Sequence, residues 1–446
     1  MIKTLRAMLL FLWLGGGFAS LPALAQEQPA PETLPLDEAL APASLWSSDG
    51  AQWVEARGEL GFHWVSTAKG AAQTTRKGIT LYGLPIDQAV VRMEEGKPKQ
   101  VVVLFYNRGD RGDLPREEYD ALVRKAVEVI SAATGLKMTP RGRDASSAVR
   151  AEGVFWETAD TRYLLEYSFT REVKGHGIPF RGEFIRLEIT PREAPKSMLE
   201  EAFAARETKA PFRGEDHVVR DTATGDVMIE GIPMVDQGEK GYCVVASAER
   251  VMRYYGIRTD AHELAQLANS SAAEGTSADA MSKALTALTA RLRIRSRTQE
   301  KFEIRALLDL IRDYNQLARR EKQALIPDPG HYIDVQAVYS RMDSDLLRRA
   351  RTRSKQGING FQRDIKRHID KGVPLLWSLM LGVIPEGGKM RQSIGGHMRL
   401  IIGYNEKEGQ IIYSDSWGMG HEVKRMPLID AWAVTTGLST IEPIGG

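Results

Sequence analysis

One cysteine, Cys243, stands in a chain of 446 residues. No intramolecular disulfide can form, and no cysteine-based zinc site. Whatever holds this chain together is packing and hydrogen bonding, and its composition suits that: 43% of residues are hydrophobic and 26% charged. This balance belongs to a folded globular protein and excludes a disordered polymer, a collagen-like rod and a multi-span membrane protein. The length predicts two or three domains.

The first 25 residues read as a secretory signal peptide. Lys3 and Arg6 supply a positive start, Ala7 to Phe18 is largely apolar, and Ala23-Leu24-Ala25 is a small-residue cleavage site. Gly15, Gly16 and Gly17 break the apolar run, which is short for a spanning helix. The expectation is export to the periplasm or the medium, with no stable membrane insertion after cleavage. The whole chain carries 60 Lys+Arg and 58 Asp+Glu, and the signal holds two of the bases and no acid. The remainder is 58 against 58, formally neutral, so charge gives no reason to expect nucleic acid as a partner.

Residues 26–44, rich in Pro, Ala and Glu, predict a flexible lead-in. A first domain is expected over 45–195. Gly61 to Val65, Ile79 to Leu81, Ala89 to Met93 and Gln100 to Tyr106 read as strands. So do Val154 to Glu157, Tyr163 to Thr170 and Glu183 to Thr190. Apolar positions from Tyr119 to Ile130 recur at helical spacing, which predicts a helix over Arg116 to Ala133 stopped by Gly135. The result is an α+β domain with a mostly antiparallel sheet. Asn107 to Asp113 reads NRGDRGD, a Gly/Asp turn between strand and helix rather than an adhesion motif. The mixed, polar stretch 196–226 predicts a linker, and a second domain is expected over 227–446.

The chemistry-bearing stretch is Gln237-Gly238-Glu239-Lys240-Gly241-Tyr242-Cys243. After it, Ala246, Ala248, Val251, Met252 and Tyr255 form an apolar helical face ended by Gly256, so Cys243 opens a helix. The dipole and unpaired amides at a helix start favour a thiolate, the nucleophilic form of cysteine. Gly238 and Gly241 permit a tight turn that brings backbone near a substrate. Gln237, six residues before the cysteine, offers an amide donor for a developing oxyanion. A base is also required. His397 begins the apolar, strand-like run Met398-Arg399-Leu400-Ile401-Ile402. The next strand, Gln410 to Ser414, leads into Asp415-Ser416-Trp417-Gly418, where Asp415 could orient the histidine.

The order Q-G-x-x-G-Y-C before a helix, then G-H in a strand, then D-S-W-G resembles the papain-like cysteine peptidases. Asp415 stands where papain has asparagine, and with the Gln-to-Cys spacing retained this is similar to the bacteriocin-processing (double-glycine) peptidases, family C-39. The resemblance covers about residues 227 to 440. It implies a papain-like α+β catalytic domain, in which a helix carrying Cys packs on an antiparallel sheet carrying His and Asp. The smaller α+β domain precedes it. It also implies Cys243 as nucleophile, His397 as base, Asp415 as orienter and Gln237 as oxyanion donor, acting on a peptide or protein substrate. Gly241, Tyr242, Gly396 and Trp417 are the substrate-cleft candidates, Trp417 chiefly as a cover over the triad. Papain-type enzymes carry Trp after the cysteine, where this chain has Val244.

Between the cysteine helix and His397, helices are expected over 276–290, 304–323 and 360–370, and a buried strand over 372–379. His421, close to Asp415 and Trp417, is the serious rival to His397. The basic runs 319–322 and 348–355 read as solvated helix faces or a loop. No phosphate loop and no metal spacing is present, so neither cofactor nor metal is expected. The first domain is expected either to cover the cleft or to dock substrate. Two other function classes stay open on the same fold: an inactive peptide-binding scaffold, and an acyl transferase that crosslinks amides with the same triad.

Overall fold

The computed structural model describes residues 33–141, 149, 151–170, 179–192, 212–238, 241–257, 259, 261–268, 283, 286, 293–328, 333–387 and 392–444. The expected signal peptide and most of the helix expected over 276–290 lie outside the described residues.

The first unit opens with a three-stranded sheet of β1 (Leu34–Pro35), β4 (Ile79–Leu81) and β5 (Leu84–Pro85). Two short helices, α1 (Pro42–Leu45) and α2 (Gly50–Glu55), lie beside it. Its main sheet is antiparallel throughout. It comprises β2 (His63–Trp64), β3 (Ala71–Thr74), β6 (Gln88–Glu94), β7 (Lys97–Asn107), β8 (Thr139–Pro140), β9 (Ala151–Glu157), β10 (Thr161–Thr170) and β11 (Arg181–Pro191), in the order β2-β3-β6-β7-β11-β10-β9-β8. After the single turn α3 (Arg108–Arg111), helix α4 (Arg116–Thr134) buries Tyr119, Ala126 and Ile130, one apolar stripe at helical spacing. Tyr119 fixes the helix to the sheet by donating its hydroxyl to the carbonyls of Ser168 and Phe184, at 2.8 and 3.0 Å.

Two expectations need correction here. The lead-in ends before Leu34: Leu36, Leu40 and Leu45 are fully buried in the core of the first unit, where each buried leucine contributes about 1.5–3 kcal/mol. The expected linker also ends early. Phe212 stacks on His217 and packs edge-on against Tyr254 and Tyr255, and the chain then enters the second unit's sheet.

That sheet contains β12 (Val218–Arg220), β13 (Asp226–Ile229), β14 (Ile294–Glu300), β15 (Leu375–Leu381), β16 (Gly395–Asn405), β17 (Gln410–Ser414), β18 (Lys424–Pro427) and β19 (Thr435–Pro443). Its order is β12-β13-β16-β15-β19-β14, with β17 and β18 branching from β16. Its helices include α5 (Cys243–Tyr254), α6 (Ala261–Leu267), α7 (Ile304–Arg320), α8 (Val335–Ser340), α9 (Ser344–Arg351), α10 (Lys355–Ile369) and α11 (Leu428–Val434).

Strand alternation sorts the apolar side chains into two cores. Leu376, Leu400, Ile402 and Ile412 pack with Val244, Val245, Ala248 and Val251 of α5. Leu375, Trp377, Leu379, Ile401 and Ile411 pack with the other helices, including Phe361 of α10 and Leu347 of α9. Covered on both sides, the central strands are near-continuous apolar runs. This rigid support positions the cysteine helix and the histidine strand. The basic run 348–355 is not simply solvated. Arg351 lies over the Trp432 ring at 4.1 Å and donates to the Trp432 and Thr435 carbonyls, while Arg348 pairs with Asp430.

The two units are joined by buried polar contacts. Arg186 on β11 donates to Glu263 on α6 at 2.9 Å, and Ser168 on β10 to Gln266 at 2.7 Å. The NRGDRGD turn takes part. A Cβ at Gly109 would lie 1.8 Å from the Tyr242 hydroxyl, so only glycine leaves room for that ring.

Candidate active site

Helix α5 begins at Cys243, and its N-cap residue Tyr242 supplies no side-chain cap. First-turn amides of a helix have no intrahelical partner, so a cluster of backbone donors surrounds the cysteine. The thiol itself is buried. It adjoins His397, the third residue of β16, whose proton affinity it raises. On the other side of the imidazole, Nε2 lies 2.7 Å from Asp415 Oδ1. With Nε2 committed to the carboxylate, Nδ1 is the ring nitrogen left to face the sulfur. Trp417 stacks over the ring at 4.8 Å with planes 25° apart, and so shields the His397–Asp415 bond from water.

Asp415 is fully buried, and its surroundings account for how a carboxylate is held there. Oδ1 also accepts from the Ser416 amide at 2.9 Å, and Oδ2 accepts from Arg399 Nε at 2.7 Å. Arg399, itself fully buried, grips Glu386 with its other two nitrogens at 2.7 and 3.1 Å and lies over the Tyr413 ring. A second buried guanidinium, Arg250 on α5, donates to the Asp415 carbonyl at 2.9 Å and to the Ser414 hydroxyl at 2.5 Å. Burial pulls the Arg250 guanidinium down to about 10, against the opposing charges of Asp415 and Glu422. Burial would also lower His397, but its hydrogen bonds to Asp415 and Cys243, and their charge, outweigh this and hold the imidazole at about 9. Burial works against the Asp415 carboxylate too, yet His397 and Arg399 keep it at about 2.

Gln237 is tied to the same loop. Its amide N–H donates to the Ser416 carbonyl at 2.9 Å, and the Ser416 hydroxyl donates to Gln237 Oε1 at 2.6 Å. In this arrangement Oε1 is the end of the side-chain amide engaged by Ser416, and Nε2 is the other end.

Of the expected site residues, Cys243, His397 and Asp415 come together, with His397 bonded to Asp415 and adjoining the thiol, and Gln237 joins them through Ser416. Gly241 and Gly396 are exposed beside Cys243 and His397, and Trp417 is half-buried over the base. Tyr242 departs from its expected place in the cleft. Its ring is buried toward the first unit, with the hydroxyl 3.4 Å from Asn107 Oδ1. The rival histidine, His421, meets the edge of Trp417 and offers its backbone carbonyl to the Asp415 amide, but its ring does not bond the carboxylate. Burial and the Lys424 charge lower its affinity for a proton. Sequence reasoning missed Arg399, Arg250, Glu386 and Ser416. An arginine inside the apolar run Met398 to Ile402 was the available signal, since a buried guanidinium demands an acid partner. Among the described residues, no group of three His, Cys, Asp or Glu side chains could hold a metal, and no helix is long and apolar enough to cross a membrane.

No curated protein matches the chain. One similar solved structure is the peptidase domain of Streptococcus ComA, a bifunctional ABC transporter involved in quorum sensing. The likeness has 17% identity, covers 48% of this chain and 99% of that one, and has a TM-score of 0.24. Another is xylellain, a cysteine protease from Xylella fastidiosa, with 14% identity, 50% of this chain and 90% of that one covered, and a TM-score of 0.26. The model of the Peptidase_C39-like family matches residues 229–440. This span holds α5, β16 and the Asp415 loop, and over it the chain is similar to the Peptidase_C39-like family.

Proposed function

We propose that the chain is an exported cysteine peptidase that hydrolyses peptide bonds through Cys243, His397 and Asp415, with Gln237 as oxyanion donor. The observation that carries this reading is the line from Asp415 through His397 to Cys243. A histidine held at about 9 is protonated at neutral pH, and so carries the proton that a leaving amine requires.

In this mechanism the Cys243 sulfur attacks the carbonyl carbon of the scissile bond, and the C=O pair moves onto oxygen. The Cys243 backbone N–H and Gln237 Nε2 receive that oxyanion. His397 gives its proton to the leaving amine as the C–N bond breaks, which leaves a thioester on Cys243. Water then attacks the thioester while His397 takes its proton. The acid leaves, and free Cys243 beside the protonated His397 returns. Asp415 keeps the ring turned toward the sulfur and stabilises its cationic form. Glycines at 241 and 396 leave the mouth of the crevice without side chains, where an extended peptide could lie against backbone.

The test compares wild type with Cys243→Ala on a randomised mixture of quenched-fluorescent peptides, with labelling by a thiol-directed epoxide in parallel. Turnover and labelling are expected from the wild type alone. Equal turnover by the two proteins would remove the reading. Export is carried by Lys3, Arg6, the apolar run and Ala23-Leu24-Ala25. N-terminal sequencing of protein recovered from outside the cytoplasm is expected to begin at Gln26.

A further inference from the structure

The hairpin formed by β2 and β3 of the first unit reaches both loops that hold the site. Gln73 on β3 donates Nε2 to Asp236 Oδ2 at 2.8 Å, and Asp236 immediately precedes Gln237. The Gln73 amide is itself oriented, because its Oε1 accepts from Gln88 at 3.1 Å. His63 on β2 approaches the same Asp236 oxygen at 3.9 Å. Between the strands, the Thr67 amide donates to Glu422 Oε1 at 2.8 Å, while Glu422 Oε2 accepts from Gly420 at 2.6 Å.

Asp236 passes this anchoring on. Its Oδ1 accepts from the Gly238 amide at 2.9 Å, which closes the turn around Gln237. Its Oδ2 lies so close to Gly418 that a Cβ there would sit 2.8 Å away, and Gly418 has φ +78°. One carboxylate thus closes the Gln237 turn and packs against the loop of Asp415 and Trp417. An amide from the other unit holds that carboxylate.

We propose that Gln73, acting through Asp236, is a positioning residue for Gln237, so that the first unit completes the active site instead of covering it. This deepens the peptidase reading and rests on it. Small displacements of a catalytic group cost rate steeply, whereas substrate binding along the cleft does not depend on the oxyanion donor.

The experiment uses the full chain with Gln73→Met, which keeps the volume and removes the donor, and a fluorogenic peptide that the wild type cleaves. We expect kcat to fall about tenfold with KM within about twofold. The rate of Cys243 alkylation by iodoacetamide should not change, because displacement at a saturated carbon builds no oxyanion. A merely structural role would slow both reactions. In a Gln237→Ala background the same substitution should cost nothing further, since both changes remove one function. Gln73→Glu, which sets a second carboxylate against Asp236, should lose at least as much kcat. A wild-type kcat in Gln73→Met and Gln73→Glu, or equal losses with and without Gln237, overturns the inference and leaves the peptidase reading intact. A wild type that cleaves no peptide removes both.

Discussion

Two aspartates brace the site, and they are held in opposite ways. Asp415, behind His397, is fully buried, with a guanidinium on its carboxylate and a second on its carbonyl. Asp236, behind Gln237, retains 16% side-chain exposure and is held mainly by neutral donors, the Gln73 side chain and the Gly238 amide. The first must stay ionised in a dry interior to hold a cation opposite it, so the fold surrounds it with compensating charge. The second has only to fix geometry, and neutral hydrogen bonds at the water's edge suffice. Charge is gathered around the aspartate that is fully buried, and neutral donors hold the one that is not.

The largest expected effect breaks the first of these arrangements. Arg399→Met would leave Asp415 and Glu386 buried together without their shared cation. Removing one partner of a buried pair costs about 3–5 kcal/mol, and urea unfolding should register a loss of that size. A loss under about 1 kcal/mol would mean that Arg250 or entering water compensates, and the distinction between the two aspartates would fail. Activity should fall as well, because Asp415 would no longer be held in register with His397.

The pH dependence sharpens the same contrast. His397 is raised from its ordinary 6.5 to about 9 in the folded chain. Its contribution to stability is therefore complete below about 6.5 and is lost as pH rises through 9. Asp415 is lowered from 3.8 to about 2, so its contribution is present above 3.8 and is lost as pH falls through 2. Stability from this pair should thus be greatest between these limits. Cys243 alkylation should show an alkaline change near 9, reporting loss of the imidazolium. Unfolding followed across pH, with alkylation rates beside it, checks both limbs. An alkaline change near 6.5 would show that Asp415 and Cys243 do not hold the proton on the ring.

Much of this was legible in the sequence because periodicity is local. Helix α4 is found at Arg116–Thr134 against an expected 116–133, and β17 at Gln410–Ser414 as expected. Strands at the rim were harder to read. Val218–Arg220 and Ile294–Glu300 lie at the two ends of the second sheet, exposed and rich in charge, so they carry little alternation. Cys243, His397 and Asp415 stood out because they occurred in recognisable company. Their supports did not. Arg250 and Arg399 make their decisive contacts with residues 165 and 16 positions away, and nothing beside either in the chain names its partner. The hairpin contact from Gln73 to Asp236 spans 163 positions and two units, and it depends on tertiary packing alone.

The smallest expected effect lies at the second aspartate. Asp236→Asn keeps a side-chain oxygen for the Gly238 amide, but then presents –NH2 toward Gln73, whose own oxygen is already turned to Gln88. One hydrogen bond is lost at a partly solvated position, which costs about 1 kcal/mol. Urea unfolding should therefore place Asp236→Asn well above Arg399→Met in stability. The kcat of Asp236→Asn should nonetheless fall with that of Gln73→Met, because both cut the same contact to the Gln237 loop. Should Asp236→Asn destabilise the chain as severely as Arg399→Met, the carboxylate at 236 is an essential buried charge after all. The two aspartates would then be doing the same electrostatic job on either side of the thiol.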